Sequence, residues 1–311
     1  MTVYLHIGSH KTGTTSIQVF LSENRKAFME AGLAYLTYGP KAPAANMLIN
    51  KIASQDPNMV KKVWRVLAKQ RENAEHCLIS AENLFATSPN MSKTALHAEL
   101  VRPGEDVKII CYLRRQDEYL ESLFLQRLRN GRTRQSLEKF IQSRISLGRG
   151  RYTKTLDLWK TAFPEAEILV RVYQRNKLIG QDAIEDFLHL IGMEKLKALQ
   201  ATPQEANPRA NRDLYDLLQL VAQNTKYDVA KVNAQLVKAD LPHTGAGRNL
   251  LSDEQRKEIF NHFKDENIKL AENYLNQDTP PFDPPHSPAN NHSSFSCEQL
   301  ELIGKLLSAL P

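Results

Sequence analysis

The octapeptide Gly8–Thr15, Gly-Ser-His-Lys-Thr-Gly-Thr-Thr, follows the short apolar run Val3–Ile7. A strand, a glycine-containing turn and a helix start gather backbone N–H groups around a helix N-terminus, where they favour an anion. Thr14, Thr15 and Ser16 add hydroxyl donors, and Lys11 adds a mobile positive charge. Gly8 and Gly13 have the spacing of the nucleotide-phosphate loop G-x-x-x-x-G-K-[ST], but Thr14 stands where that loop carries lysine. Metal-dependent phosphoryl transfer would also want an Asp after another strand to hold magnesium. The candidate strands offer none: one ends in Arg114-Arg115, another runs into Arg171, and a third leads into Glu82. Their ends suit anions held by arginine without a metal, with Arg115 the surface member of its pair.

These residues need a sheet to position them. Strand-like apolar runs are Val3–Ile7, Cys77–Ser80, Val107–Leu113 and Ile168–Tyr173, with Ala34–Thr37 a weaker one. Helical patterns lie between them at Thr14–Met29, Val60–Asn73, Glu118–Leu128 and Asp182–Ile191. Strands separated by helices imply βαβ units, a mostly parallel sheet, and a site at the carboxyl ends of the strands. Ala206–Tyr274 reads as helical only. Thr279–Ser296, rich in Pro, Asn and Ser, reads as an extended linker, and a short amphipathic helix, Cys297–Leu307, follows.

Composition bounds the class. A chain of 311 residues, 41% hydrophobic and 24% charged, reads as a soluble protein with a substantial core. Cys77, Cys111 and Cys297 lack C-x-x-C spacing, so buried thiols are expected rather than a disulfide framework or a zinc site. No apolar run approaches membrane-spanning length and no signal peptide precedes the first strand, which gives a cytoplasmic expectation. The net charge of +6 is concentrated: Arg114–Lys154 holds 11 Lys and Arg against 4 Asp and Glu. Such a segment favours an anionic ligand or acceptor, or else is a solvated helical face. No zinc-finger, RNP or interleaved aromatic pattern supports nucleic acid.

The string His6–Gln18 resembles the 5′-phosphosulfate loop of sulfotransferases that use 3′-phosphoadenylyl sulfate (PAPS), in which Lys-[Ser/Thr/Gly]-Gly-Thr-[Thr/Arg] follows the first strand. Lys11-Thr12-Gly13-Thr14-Thr15 matches it at every position. The family's second motif, a strand followed by Arg and then Ser eight residues later, is met by Arg114 and Ser122 and implies binding of the donor's 3′-phosphate. The likeness is to bacterial carbohydrate-type enzymes and runs from Val3 to about Tyr274. It implies an α/β, P-loop-like three-layer fold, with a central mostly parallel sheet flanked by helices and a helical C-terminal part. The expected organisation is a sulfotransferase domain over 1–277, a linker over 278–296 and a C-terminal helix over 297–311.

Within that resemblance Lys11 stabilises the leaving oxygen, and Lys11, Thr12, Gly13, Thr14 and Thr15 cradle the phosphosulfate. The acceptor must lose a proton, and Glu82 is the expected general base, with His10 its rival. Glu82 can also be read as a helix N-terminal acid favoured by the dipole. His6, alternating within the strand, is expected to pack or to hydrogen-bond to neighbours. A late glycine-containing loop, Leu241–Ser252, offers Arg248 to the 3′-phosphate, though without the Arg-Lys-Gly of the cytosolic enzymes. Tyr152 is a candidate to stack on the adenine, or to pack on Trp159. Arg114 could instead pair with Asp117 or Glu121. The expected co-substrate is PAPS, the product 3′-phosphoadenosine 5′-phosphate (PAP), and no metal is required. The expected acceptor is a glycan or glycolipid, anionic if Arg127, Arg129, Arg132 and Arg134 meet it. A nucleotide or polynucleotide kinase with an atypical loop, and a non-catalytic anion- or nucleic-acid-binding protein, are the alternatives.

Overall fold

The computed structural model describes residues 1–9, 12–37, 57–86, 101, 104–199, 212–238, 250–285, 301 and 303–305. They pack as two compact units. The first takes in Met1–Arg115, Arg151–Pro203 and Lys264–Phe282; the second takes in Gln116–Gly150, Gln204–Phe263 and Asp283–Pro311.

The first unit is built on five parallel strands: β1 Thr2–His6, β2 Leu33–Leu36, β3 His76–Ser80, β4 Asp106–Leu113 and β5 Glu167–Val172. Their order in the sheet is β2-β3-β1-β4-β5. Each apolar run expected to be a strand is one. The runs are continuous rather than alternating because a parallel sheet flanked by helices buries both faces. Tyr4, Leu78, Ile110 and Tyr112 face one core with Ile17, Phe20, Leu21 and Phe28 from helices α1 (Thr14–Glu23) and α2 (Arg25–Glu30). Their odd-numbered neighbours Val3, Leu5, Cys77, Ile79, Ile109 and Cys111 are just as buried on the other side. Both described cysteines are buried and form no disulfide.

The helix expected over Thr14–Met29 is broken. Asn24 leaves helical geometry at φ −103° and ψ 20°, and its side-chain amide donates to the Phe20 carbonyl at 2.9 Å. Apolar periodicity runs through the break because both pieces face one core, with the Phe20 and Phe28 rings 5.9 Å apart. The rest of the unit includes α3 (Pro57–Gln70) and, beyond β4, Tyr152–Ala162 and Ala183–Leu190. Asp182 caps the last of these by accepting from the N–H groups of Ile184 and Glu185. The start of the expected linker is irregular but not loose: Phe282 is buried, and Lys177 Nζ donates to the Pro281 carbonyl at 2.7 Å. Residues 286–296 lie outside the described residues.

The second unit is helical, with α4 Gln116–Arg129, α5 Leu137–Ser146, α6 Arg212–Asn224, α7 Val229–Lys238 and α8 Asp253–His262. Its core is Leu120, Phe124, Leu128, Phe140, Leu218, Val232 and neighbours, and Ile303 packs into it. The buried Arg256 bonds to Asp117 and Glu121, each at 2.7 Å. Among the described residues no helix is long and apolar enough to cross a membrane.

Candidate active site

The strand order places the site. From β1 the chain turns toward β2, and from β4 it leads to β5 on the opposite side. Adjacent strands whose connections diverge open a crevice at their carboxyl ends, where ligands of such sheets bind. Here that crevice is flanked by the Gly8–Thr15 loop after β1 and by Arg114 after β4.

Pairing with β4 continues past β1. Ile7 N–H donates to the Ile110 carbonyl, and Ser9 gives both its N–H and its hydroxyl to the Tyr112 carbonyl. Thr12 is buried and its hydroxyl turns back to the Ser9 carbonyl at 2.7 Å, folding the loop on itself. Gly13 then enters α1 with φ +72°. A side chain there would be strained and would also lie 2.9 Å from Tyr173 Cε2. Among the described residues the N-terminus of α1 has neither a side-chain cap nor an acid in its first turn, and such an end, with its first N–H groups and positive dipole, favours an anion. Thr15 and Ser16 are exposed there, while Thr14 is buried with its hydroxyl oxygen unpartnered among the described residues.

Beneath the loop, His6 is wholly buried and shares a 2.8 Å hydrogen bond between Nδ1 and Ser80 Oγ, as its place in the strand suggested. Burial pushes its pKa down to about 4, with the Glu82 charge pulling it partly back. Its Nε2, like Thr14 Oγ1, is buried with no partner among the described residues, and a Cβ on Gly8 would lie 3.2 Å from it. Glu82 opens a 3₁₀ turn, Glu82–Ala86, directly past β3, which stays fastened to β1 through Ala81 N–H on the His6 carbonyl. Its carboxylate is partly exposed on the same sheet edge as the loop.

Arg114 is partly exposed at the end of β4, and its carbonyl accepts from the Tyr152 hydroxyl at 2.7 Å. The structure gives Tyr152 this supporting role. Its ring is 1% exposed and lies edge-on to Phe85 and Phe282, so stacking on an adenine would need it uncovered. Ser122 lies on α4, in the helical unit. Lys11, His10 and Arg248 lie outside the described residues. The structure therefore brings Thr12, Gly13, Thr14, Thr15, Glu82 and Arg114 to one edge of the sheet.

Two arginines depart from expectation. Arg115 is buried at 7% exposure instead of lying at the surface. Arg171 does not serve the anion edge: its guanidinium forks onto Asp186, which also accepts from the Tyr112 hydroxyl and Ile179 N–H. Both carboxylates offered as partners to Arg114, those of Asp117 and Glu121, are bonded to Arg256. Sequence reading missed Tyr173, whose ring lies under Gly13 and close enough to Arg114 for that charge to oppose the upward push of burial on its hydroxyl. Nothing local marks it, since it only follows a strand. A cleft of about 800 Å³ runs along β5 and Tyr274, and neither the loop nor Arg114 lines it. Among the described residues no three His, Cys, Asp or Glu side chains converge as metal ligands would.

The chain matches no protein-family model. Over 175 residues, 54% of the chain, it is 33% identical to an uncharacterized protein of Archaeoglobus fulgidus, and the match spans 46% of that relative's length. Among solved structures it is similar to the crystal structure of a sulfotransferase from Alicyclobacillus acidocaldarius. The TM-score is 0.42 and the identity 13%, over 73% of this chain and 98% of the other.

Proposed function

We propose that the protein is a sulfotransferase that takes its sulfuryl group from PAPS and gives it to a hydroxyl or amine of an acceptor, a glycan or glycolipid. One observation carries the reading. The string Lys11-Thr12-Gly13-Thr14-Thr15 leads into a helix N-terminus without a side-chain cap, on the sheet edge that also carries Arg114, with Thr14 Oγ1 and His6 Nε2 buried nearby and unpartnered among the described residues. Unpartnered buried polar atoms at a helix N-terminus suit an anionic oxygen. Bound there, PAPS supplies an activated sulfuryl group.

The chain's residues divide the remaining work. The loop N–H groups and Thr14 hold the phosphosulfate, and Lys11 meets the charge that develops when the S–O bond to phosphate breaks. Glu82 takes the proton of an acceptor hydroxyl as its oxygen bonds to sulfur, and PAP departs. His10 is the base if Glu82 is not. Arg114, steadied by Tyr152, and Ser122 bind the 3′-phosphate, and Arg248 joins them from its late loop.

The test is thermal shift with PAP, AMP and ATP, with and without EDTA, alongside transfer of radiolabelled sulfate from PAPS. PAP should stabilise the protein far more than AMP, because folded-state binding raises the melting temperature with affinity. EDTA should leave both PAP binding and transfer unchanged. Lys11→Ala should lose about 10²–10³ in rate, and Glu82→Gln should lose transfer while keeping PAP affinity. Equal shifts for AMP and PAP would remove the 3′-phosphate assignment. Transfer lost on chelation and restored by magnesium would mean that the loop is misread and that Glu82 is a metal ligand, and magnesium-dependent stabilisation by ATP rather than PAP would favour the kinase reading.

A further inference from the structure

Strand β5 is paired on one side only. It stands last in the sheet order, and its register runs beside β4 from Lys108 and Glu167 to Leu113 and Val172. Just past its end, Tyr173 N–H donates to the Leu113 carbonyl at 2.7 Å. Backbone groups of successive strand residues point to opposite edges, so Glu167, Leu169 and Arg171 face β4 as Tyr173 does. Ile168 and Val170 then turn their N–H and C=O groups outward, and no described residue bonds to them. The next outward carbonyl, that of Val172, is closed off by Gln174 N–H at 2.9 Å. Native sheets blunt such an edge with a proline or a bulge, and β5 has neither.

The cleft of about 800 Å³ lies along this edge, lined by Ile168, Leu169 and Val170 together with Asn273–Gln277. Its size is that of a ligand site. The charges around it are already answered within the protein. Lys108 pairs with Glu167 at 2.7 Å, and Asp186 pairs with Arg171. The Tyr274 hydroxyl donates to Asp157 at 2.5 Å, and Lys160 Nζ donates to the carbonyls of Pro164 and Ala166. What faces a ligand is therefore uncharged. It consists of the backbone edge, the exposed amides of Asn273, Asn276 and Gln277, and the half-buried Leu169, Leu190 and Leu275. The wall opposite this neutral edge includes a π-helical turn, Ala271–Leu275, a conformation frequent at functional sites.

We propose that the open edge of β5 is a docking site for an extended peptide of a partner polypeptide, uncharged and apolar at alternate positions, which adds to the sheet as a further strand. Outward N–H and C=O groups two residues apart repeat about every 6.6 Å, which is the repeat of an extended peptide's own groups. Such main-chain bonds carry affinity, and contacts to alternate side chains give specificity. Leu169 and Leu190, packed on one core, supply the apolar contact. A glycan fits less well, because its hydroxyls do not follow a strand's repeat. A second copy also fits less well, because its own β5 lies beside the same Asn273–Gln277 segment, and the two segments would meet. The proposal does not depend on the sulfotransferase reading.

The test begins with hydrogen exchange of the full chain, read residue by residue by NMR. In the free protein the Ile168 and Val170 amides should exchange at least about tenfold faster than those of Leu169 and Arg171, which are bonded to β4. The ligand probe is a library of random dodecapeptides displayed on phage and selected on the full chain, with the recovered peptides titrated by calorimetry. They should bind equally with PAP present and should slow exchange at Ile168 and Val170. Methylating the peptide's backbone nitrogens should weaken binding about tenfold at every second residue and little in between. Ile168→Pro removes an outward donor while leaving the ladder to β4 intact, and should weaken binding about tenfold. Asn273→Ala and Gln277→Ala, at exposed positions, should each weaken it about threefold and decide the matter if the proline variant fails to fold. Tighter binding of maltoheptaose than of the recovered peptides, lost in Asn273→Ala, would make this a glycan site and overturn the proposal. Protection of Ile168 and Val170 that grows with protein concentration would make it an interface between copies, with the same consequence. Equal exchange at all four amides, or no recovered peptide that responds to these variants, also overturns it.

Discussion

The neutral imidazole beneath the loop gives a pH dependence that can be worked out in advance. In the folded protein burial holds the His6 pKa near about 4, against 6.5 in the unfolded chain. Between those values the unfolded state binds more protons, so stability is fully present above about pH 6.5 and is lost as pH falls toward 4. For one such group the loss relative to neutral pH is about 2 kcal/mol at pH 5 and about 3 kcal/mol at pH 4. His6→Phe removes the titration while keeping a ring of similar size, and leaves Ser80 Oγ its 3.1 Å bond from the Gln18 amide. The assay is urea unfolding of both proteins from pH 7.5 to 4.5, read as the difference in their free energies, so that shared titrations cancel. That difference should move in the variant's favour by about 2 kcal/mol between pH 7.5 and 5. Because the Glu82 charge raises the His6 pKa, Glu82→Gln should lower it further, visible in the NMR titration of the imidazole. Parallel stability curves, or an imidazole that titrates near its ordinary value, would refute the placement of His6.

Two further outcomes test the scaffold around the crevice. Gly13→Ala should cost about 1–2 kcal/mol from the left-handed backbone alone. It should also weaken PAP binding, since Tyr173 would have to move; wild-type stability in urea unfolding would contradict the turn. Asp186→Asn leaves Arg171 without its charge partner and should destabilise by about 3 kcal/mol, the low end for a buried pair, because Arg171 is 29% exposed. PAP affinity should be unchanged at temperatures where the variant is folded, and a loss of affinity there would return Arg171 to the anion site.

The sequence by itself determined the scaffold of the first unit and the placing of its loop. Short apolar runs separated by helical periodicity can satisfy their backbone groups and bury both faces only as a parallel sheet flanked by helices, and all five strands were legible that way. The spacing of Gly8 and Gly13 likewise foretold a turn leading into a helix start, because φ of +72° at Gly13 is a position that glycine tolerates. What one-dimensional pattern could not decide was the use of each charge. Arg114, Arg115 and Arg171 all stand at strand ends. Yet Arg115 is buried, Arg171 is locked to Asp186 fifteen residues on, and Arg114 stays partly open at the crevice. In the same way Arg256 reaches back 139 residues to bond to Asp117. An ion pair depends on distance and on water being excluded, and both are set by the packing of elements far apart in the chain. Residue type and spacing therefore gave the candidates, and only the tertiary structure decided which of them are buried or locked into ion pairs and which stand partly exposed at the sheet edge.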